Sequence, residues 1–149
     1  MKVLYNYLKK GVPSGTFSFL NRFIVVKEKS ITEYYDYTLP LYKLLWYRGG
    51  GSQGLHSGLW EEGTNSLQEA LVNTNKVLAD LADLTEQDKV LDAGCGVGGS
   101  ATWLAKNHGC SVTGITISED QIKEARRLAE KEQIQDRVSF KFNDFTDTD

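Results

Sequence analysis

The stretch Val90-Leu91-Asp92-Ala93-Gly94-Cys95-Gly96-Val97-Gly98-Gly99-Ser100 decides the fold of this chain. Val90 and Leu91 follow the charged pair Asp88 and Lys89, and they predict the start of a buried strand. The four glycines then let the backbone turn sharply into a helix, because a residue without a Cβ adopts conformations that are closed to others. Backbone N–H groups and the helix N-terminus can approach a ligand closely at such a turn. The stretch therefore predicts a strand-loop-helix ligand grip.

Strands and helices alternate around this loop, which predicts an α/β, Rossmann-like doubly wound sheet. Parallel strands joined by right-handed crossovers are the expected arrangement for this order. The predicted elements are a helix from Ser66 to Asp83 with a Ser66–Glu69 capping box, lying on the sheet, a strand at about 89–93, a helix at about 99–108 closed by Gly109, a strand at about 110–115, a helix beginning at Ser118 and a strand at about 137–142.

Residues 1–65 form a separate N-terminal segment, expected to be a helical lid, and residues 66–149 hold the first half of the Rossmann-like domain. The apolar run Thr16–Val26 predicts a helix that packs on the body or acts as a membrane-surface or lid segment. Ser30–Tyr47 is rich in aromatic residues and predicts two helical pieces separated near Pro40. Arg48–Gly58 holds five glycines around His56 and predicts a mobile loop.

Composition narrows the class of partner. The chain has 149 residues, with 17 basic against 20 acidic side chains and a formal net charge of -3. This balance does not indicate a nucleic-acid partner, which would normally require a basic patch. Cys95 and Cys110 form no metal-ligand pattern and predict reduced thiols in a cytoplasmic protein. No run has the length of a membrane span, and the N-terminus is a poor signal peptide. A small-molecule partner is expected, and no metal.

The choice of ligand depends on Asp92 and Thr116. Gly94, Gly96 and Gly99 also satisfy the dinucleotide pattern G-x-G-x-x-G. A carboxylate at Asp92, however, would repel a pyrophosphate, and the acid that the dinucleotide fold needs about 20 residues further on is replaced by Thr116. A ligand with positive charge suits Asp92 better.

At these residues the sequence resembles motif I of the class I S-adenosylmethionine-dependent methyltransferases. The resemblance implies S-adenosylmethionine as cofactor, because its ammonium and sulfonium match an acidic site. It also implies that the glycine loop holds the cofactor, through Asp92, Gly94, Cys95, Gly96 and Gly98.

Strand two departs from most of that class, because no acid ends it. Val112–Ser118 with Gln121 is similar to a subgroup that includes the cyclopropane fatty acid synthases, the tocopherol methyltransferases and the sarcosine and dimethylglycine methyltransferases. That resemblance implies that Thr116, Ile117 and Gln121 contact the nucleoside in place of the acid. Gln121 also fits a capping box with Ser118, and the two roles are compatible.

Other parts of the expected site follow from the same resemblance. Asp144 and Phe145 come after strand three, where the family binds adenine through an acidic residue and an adjacent group against the ring. Tyr34-Tyr35-Asp36 and the stretch from Gly49 to Gly63 resemble the N-terminal portion of the sarcosine and dimethylglycine type. Tyr35, with Tyr34 and Trp60, would offer aromatic faces to a sulfonium or a methylated ammonium, or would simply pack. His56 is a candidate base or a solvated side chain, and no catalytic residue is assigned.

The resemblance implies methyl transfer to a small-molecule acceptor, with an amine as the expected nucleophile. One alternative is a lipid-modifying enzyme of the cyclopropane synthase kind, whose Phe17–Lys29 segment would touch a membrane. Another is a non-catalytic S-adenosylmethionine-binding fragment. Because the family's sheet has seven strands, we expect only its first half here, from a shortened reading frame, an expressed piece, or a chain that completes its sheet with another copy. An open strand edge of this kind favours self-association.

Overall fold

A computed structural model describes residues 28–45, 54 and 56–146. The elements are α1 (Glu28–Leu45), α2 (Leu67–Leu81), β1 (Lys89–Ala93), α3 (Gly99–His108), β2 (Ser111–Thr116), α4 (Glu119–Lys131) and β3 (Val138–Phe142). From Thr32 onward the chain forms one compact unit. The predicted helix at 16–26 and most of the glycine-rich stretch lie outside the described residues. No helix within the described ranges is long and apolar enough to cross a membrane.

The sheet has three parallel strands in the order β1-β2-β3, as the alternating pattern predicts. Asp92 of β1 pairs with Gly114 of β2, which in turn pairs with Phe140 of β3. β1 is an edge strand of this sheet, and its Leu91 is 52% exposed. The α/β, Rossmann-like expectation is confirmed.

The core lies between one face of the sheet and the helices α3 and α4. Both helices contact the sheet and each other, which is the arrangement expected when two successive crossovers have the same hand. Small residues on the helices allow this close approach, and their partners on the strands are larger. The buried cluster comprises Ala101, Ala105, Cys110, Val112, Ile122, Ala125, Ala129, Ile134, Val138 and Phe140.

The N-terminus of α2 confirms the predicted cap with one difference. Ser66 Oγ accepts a hydrogen bond from the Glu69 N–H at 3.2 Å, as in a capping box. The Glu69 carboxylate, however, accepts from the Asn65 N–H at 2.7 Å rather than from the N-cap residue itself. The helix start is therefore fixed by side chains from both directions.

The buried face of α2 is narrower than the sequence predicts. The helix packs mainly against α3 rather than on the sheet, and its buried residues are Ala70, Leu71, Asn75 and Ala79. The spacing of the apolar residues predicts that Leu78 and Leu81 lie on the inner face with Ala70 and Leu71, but these two leucines are 59% and 79% exposed. Packing against another helix covers a narrower stripe than packing on a sheet, so these leucines lie outside it.

The prediction of two helical pieces around Pro40 is wrong, because α1 runs through this residue from Glu28 to Leu45. Proline removes one helical hydrogen bond and disfavours the helical conformation in the residue before it. Here that residue, Leu39, is buried, and one turn earlier Asp36 bonds to Ser118 of the body. These tertiary contacts on either side of one turn stabilise the continuous helix against the local preference.

Candidate functional site

The loops that follow the three strands meet at one edge of the sheet. The backbone N–H groups of Gly94 and Cys95 both donate to the Ile115 carbonyl at 2.9 Å, which ties the glycine loop to the end of β2. The Asn143 N–H donates to the Thr116 carbonyl at 3.1 Å, which ties the loop after β3 to the same place. The convergence expected at the carboxyl ends of parallel strands is therefore present.

Two glycines shape this loop in different ways. Gly94 has φ +84° and a side chain added there would have no atom within 4 Å, so the position opens onto free space. Gly98, the N-cap of α3, has φ +77°, and an added Cβ would lie 2.6 Å from the Phe140 ring. Gly94 thus leaves room for a ligand, whereas Gly98 lets α3 begin directly over the sheet.

The sequence predicted that the N–H groups of the loop approach a ligand. In the structure, three of them bond to the protein instead. Those of Gly94 and Cys95 donate to Ile115, and that of Gly98 donates to the Cys95 carbonyl at 2.9 Å. These three donors hold the turn itself. The room in the loop comes from the missing side chain at Gly94 rather than from these amides.

Asp92 lies at the end of β1 with its carboxylate turned inward. Its Oδ2 is buried and has no hydrogen-bond partner among the described residues. Burial raises the pKa of Asp92, and the Ala101 backbone N–H and the charge of His56 oppose this rise. A buried carboxylate oxygen without a partner has the chemistry to accept a cationic donor, which fits the ammonium of S-adenosylmethionine.

The Cys95 side chain faces the core. Its Sγ donates to the Gly96 carbonyl at 3.6 Å, and a Cβ added at Gly114 would lie 2.9 Å from it. Burial, with a smaller contribution from the Asp92 charge, raises the pKa of Cys95 to about 12. The thiol is therefore protonated at neutral pH.

At the end of β2, where most of the class has an acidic residue, a series of hydrogen bonds links buried polar side chains. Thr116 Oγ1 donates to Gln121 Oε1 at 2.7 Å, and these side chains are 7% and 4% exposed. Ser118 Oγ accepts from the Gln121 N–H at 3.2 Å and donates to Asp36 Oδ1 at 2.6 Å. Gln121 thus joins the helix cap through its backbone and Thr116 through its side chain. No role was predicted for Asp36, although the acid in Tyr34-Tyr35-Asp36 was the available signal.

The remaining predicted residues lie around the same loops. Asp144 Oδ1 accepts from the Thr146 N–H and hydroxyl, both at 2.8 Å, and these bonds lower the pKa of Asp144. Phe145 is half exposed, and Ile117 is partly buried. On α1, the Tyr35 ring packs edge-on against Tyr34 with centroids 5.4 Å apart.

Comparisons with known proteins agree with this geometry. The family model described as mycolic acid cyclopropane synthetase matches residues 24–149. A 27-O-demethylrifamycin SV methyltransferase of Amycolatopsis mediterranei (strain S699) is 36% identical over 110 residues, covering 74% of this chain and 39% of that protein. The chain spans 28% to 41% of the length of the five curated relatives compared.

Two solved structures share the fold. The [4+2]-cyclase SpnF superposes with a TM-score of 0.69 at 30% identity, over 77% of this chain and 42% of that one. A geranyl diphosphate methyltransferase in complex with SAM gives a TM-score of 0.54 at 29% identity, over 64% of this chain and 46% of that one. The chain belongs to the mycolic acid cyclopropane synthetase family, and with it to the class I S-adenosylmethionine-dependent methyltransferases.

Proposed function

We propose that this chain binds S-adenosylmethionine at the edge where the three loops meet, and that it supplies the cofactor-binding part of an enzyme that methylates a small molecule. The observation that carries the proposal is the buried Oδ2 of Asp92, which has no hydrogen-bond partner in the part of the chain that the structure describes, beside the open position at Gly94. A methyl donor with a cationic amino-acid portion satisfies the carboxylate and fills the space. The structure of the related geranyl diphosphate methyltransferase with SAM supports the same choice.

In this proposal each side chain has one task. Asp92 accepts a hydrogen bond from the ammonium, and the Thr116–Gln121 pair holds the ribose hydroxyls through a preset amide orientation. Asp144 accepts from the adenine amino group, and Phe145 offers an aromatic face to the ring. Ile117 and the edge of Tyr35 complete the apolar surround.

The bound cofactor supplies an activated methyl group on sulfur. The protein then has to align the acceptor atom with that group and exclude water, and an amine needs little further help. We propose an amine acceptor on the strength of the sequence resemblance. The named relatives, which act on a rifamycin and on geranyl diphosphate, support a small-molecule acceptor more generally.

A second candidate is a lipid acceptor, which the description of the family model favours. Co-sedimentation with anionic phosphatidylglycerol vesicles separates the two. Binding to the vesicles would support the lipid version, and no binding would contradict it.

We also propose a cytoplasmic location. Both cysteines are free, with Cys110 buried in the core and Cys95 beneath the glycine loop. Free thiols at such positions support a reducing compartment.

Calorimetric titration of the chain with S-adenosylhomocysteine, using NAD as comparison, tests the cofactor proposal. Saturable binding of S-adenosylhomocysteine alone is the expected result. Binding of NAD alone, or of neither by a chain with a folded circular dichroism spectrum, would contradict it.

A further inference from the structure

The carboxylate of Asp36 lies near the carboxyl end of β2, although Asp36 belongs to α1. Its Oδ1 accepts a hydrogen bond from Ser118 Oγ at 2.6 Å. Ser118 lies in the short loop between β2 and α4, where it is the N-cap of α4, and it is 1% exposed. The contact therefore brings a carboxylate from a distant part of the chain to the edge of the sheet where the loops after the strands meet.

The hydrogen bonds of the Ser118 hydroxyl have a fixed direction. A carboxylate oxygen can only accept, so Ser118 donates its single proton to Asp36. The same hydroxyl oxygen accepts from the Gln121 N–H at 3.2 Å. Oδ2 of Asp36, by contrast, bonds to none of the residues that the structure describes. The Asp36 side chain is partly exposed, so this second oxygen can accept a hydrogen bond from a ligand.

The other polar groups at the end of β2 are neutral and bond to one another. Thr116 Oγ1 donates to Gln121 Oε1 at 2.7 Å and accepts from the Ser118 N–H at 3.4 Å. Because Oε1 is the acceptor atom of the Gln121 amide, the rest of that amide is an NH₂ group, which can only donate. A ligand that binds here therefore has a neutral donor in Gln121 and a charged acceptor in Asp36.

A ribose carries the matching groups. Each of its neighbouring hydroxyls has one proton to donate and lone pairs that accept, so together they can bond to a donor and to an acceptor. A carboxylate is a stronger acceptor for such a proton than a neutral oxygen. We propose that Asp36 accepts a hydrogen bond from one ribose hydroxyl of the cofactor, in place of the acid that β2 lacks. The inference rests on the proposed function, because it assigns a further residue to the same cofactor.

Asp36→Asn separates this binding role from the structural contact with Ser118. The amide keeps one oxygen, which can still accept from the Ser118 hydroxyl, while the second oxygen is replaced by an NH₂ group. In the 149-residue chain, we expect this variant to lose less stability than Asp36→Ala. It should nevertheless bind S-adenosylhomocysteine roughly ten- to a hundredfold more weakly, because a charged acceptor is lost.

Ligands that lack one ribose hydroxyl identify the group that Asp36 binds. Calorimetry compares S-adenosylhomocysteine with its 2′-deoxy and 3′-deoxy forms. The original chain should bind the form that lacks the bonded hydroxyl roughly ten- to a hundredfold more weakly than S-adenosylhomocysteine. Asp36→Asn should bind that same form within about twofold of the original chain, because the contact is already missing from the ligand.

Controls separate the possible failures. Asp136→Asn removes a carboxylate from the exposed turn before β3 and should leave the affinities for all three ligands unchanged. Equal weakening of the three ligands by Asp36→Asn, or no weakening, would overturn the ribose assignment while the cofactor proposal stands. A folded original chain that does not bind S-adenosylhomocysteine would overturn both proposals.

A measurement on the unmodified chain covers the case in which Asp36→Asn does not fold. In protein with ¹³C-labelled aspartate, the carboxyl resonance of Asp36 should shift when S-adenosylhomocysteine binds. The deoxy form that lacks the bonded hydroxyl should leave this resonance in place. An equal shift with all three ligands, or no shift with any of them, would contradict the proposal.

Discussion

Ser118 Oγ donates to Asp36 Oδ1 at 2.6 Å, a contact between residues 82 positions apart. It joins the middle of α1 to the N-cap of α4, where Ser118 also accepts from the Gln121 N–H. The carboxylate that β2 lacks at its own end is thus present next to it, supplied by another helix. This contact also explains why α1 continues through Pro40.

A double-mutant cycle should measure this link. We expect Asp36→Ala to lower the free energy of unfolding by about 1.5 kcal/mol, since a hydrogen bond to a partly buried charged group is lost. Ser118→Ala should cost about 1 kcal/mol more, because the cap is lost as well. In the Ser118→Ala background, Asp36→Ala should have almost no further effect. Urea denaturation measures these values, and Asp136→Asn at an exposed turn is the matched control. Additive effects of the two changes would contradict the link.

The ionised Asp92 carboxylate should lower the stability of the ligand-free chain while it strengthens ligand binding. Its pKa is raised above 3.8 in the fold, so the folded state holds this proton more tightly than the unfolded state does. The stabilising contribution is therefore complete below pH 3.8 and is lost as the pH rises through the raised pKa. Above that pKa the buried charge opposes folding, and Asp92→Asn should make the ligand-free chain more stable at pH 7.

The same variant should bind S-adenosylhomocysteine roughly ten- to a hundredfold more weakly, because a charged acceptor becomes a neutral one. Urea denaturation without ligand and calorimetry with ligand give the two values. Asp88→Asn is not a suitable control, since Asp88 bonds to Thr85, so Asp136→Asn serves again. A less stable Asp92→Asn chain at pH 7 would contradict the assignment of burial as the cause of the shift.

The two glycines of the loop should respond differently to alanine. Gly98→Ala combines a strained positive φ with a Cβ that would lie 2.6 Å from Phe140 and 2.9 Å from Ala125. We expect a loss of about 3 kcal/mol in stability, from strain and overpacking together. Gly94→Ala should cost only about 1 kcal/mol, since its surroundings are open and only the strain of the left-handed conformation remains.

The two variants should rank in the opposite order when the loss of ligand affinity is measured instead of the loss of stability. Gly94→Ala places a methyl group in the proposed ligand space and should strongly weaken the binding of S-adenosylhomocysteine.

In Gly98→Ala, the second change Phe140→Leu should recover part of the stability by giving the new methyl group room. Equal stability losses at the two positions, measured by thermal unfolding, would contradict the packing argument.

Local patterns predicted the elements that depend on local chemistry. The Ser66 and Ser118 caps, the Gly109 C-cap and the three strands follow from short-range rules, and the structure has them. Features that depend on distant contacts were missed. Pro40 lies inside a helix because Leu39 and Asp36 contact the body, and no window of sequence around Pro40 contains Ser118.

The candidate site divides in the same way. Asp92 and the glycines could be chosen from the sequence because their spacing in the strand and turn sets their position. The role of the loop amides could not, because it depends on Ile115, whose carbonyl takes two of them.

Thr116 offers a test of the nucleoside portion of the site. Its hydroxyl donates to Gln121 Oε1 at 2.7 Å in a buried setting, so Thr116→Val leaves a buried amide oxygen without that donor. We expect a stability loss of about 2 kcal/mol, whereas Thr116→Ser keeps the hydroxyl and should cost less. If the Thr116 hydroxyl orients the Gln121 amide toward the ribose, Thr116→Val should also weaken the binding of 5′-methylthioadenosine and of S-adenosylhomocysteine by the same factor. Both ligands carry the nucleoside. Asp92→Asn should weaken only the binding of S-adenosylhomocysteine, because 5′-methylthioadenosine lacks the ammonium. The two variants therefore separate the nucleoside half of the site from the amino-acid half, and a Thr116→Val chain that binds both ligands normally would remove Thr116 and Gln121 from the proposed site.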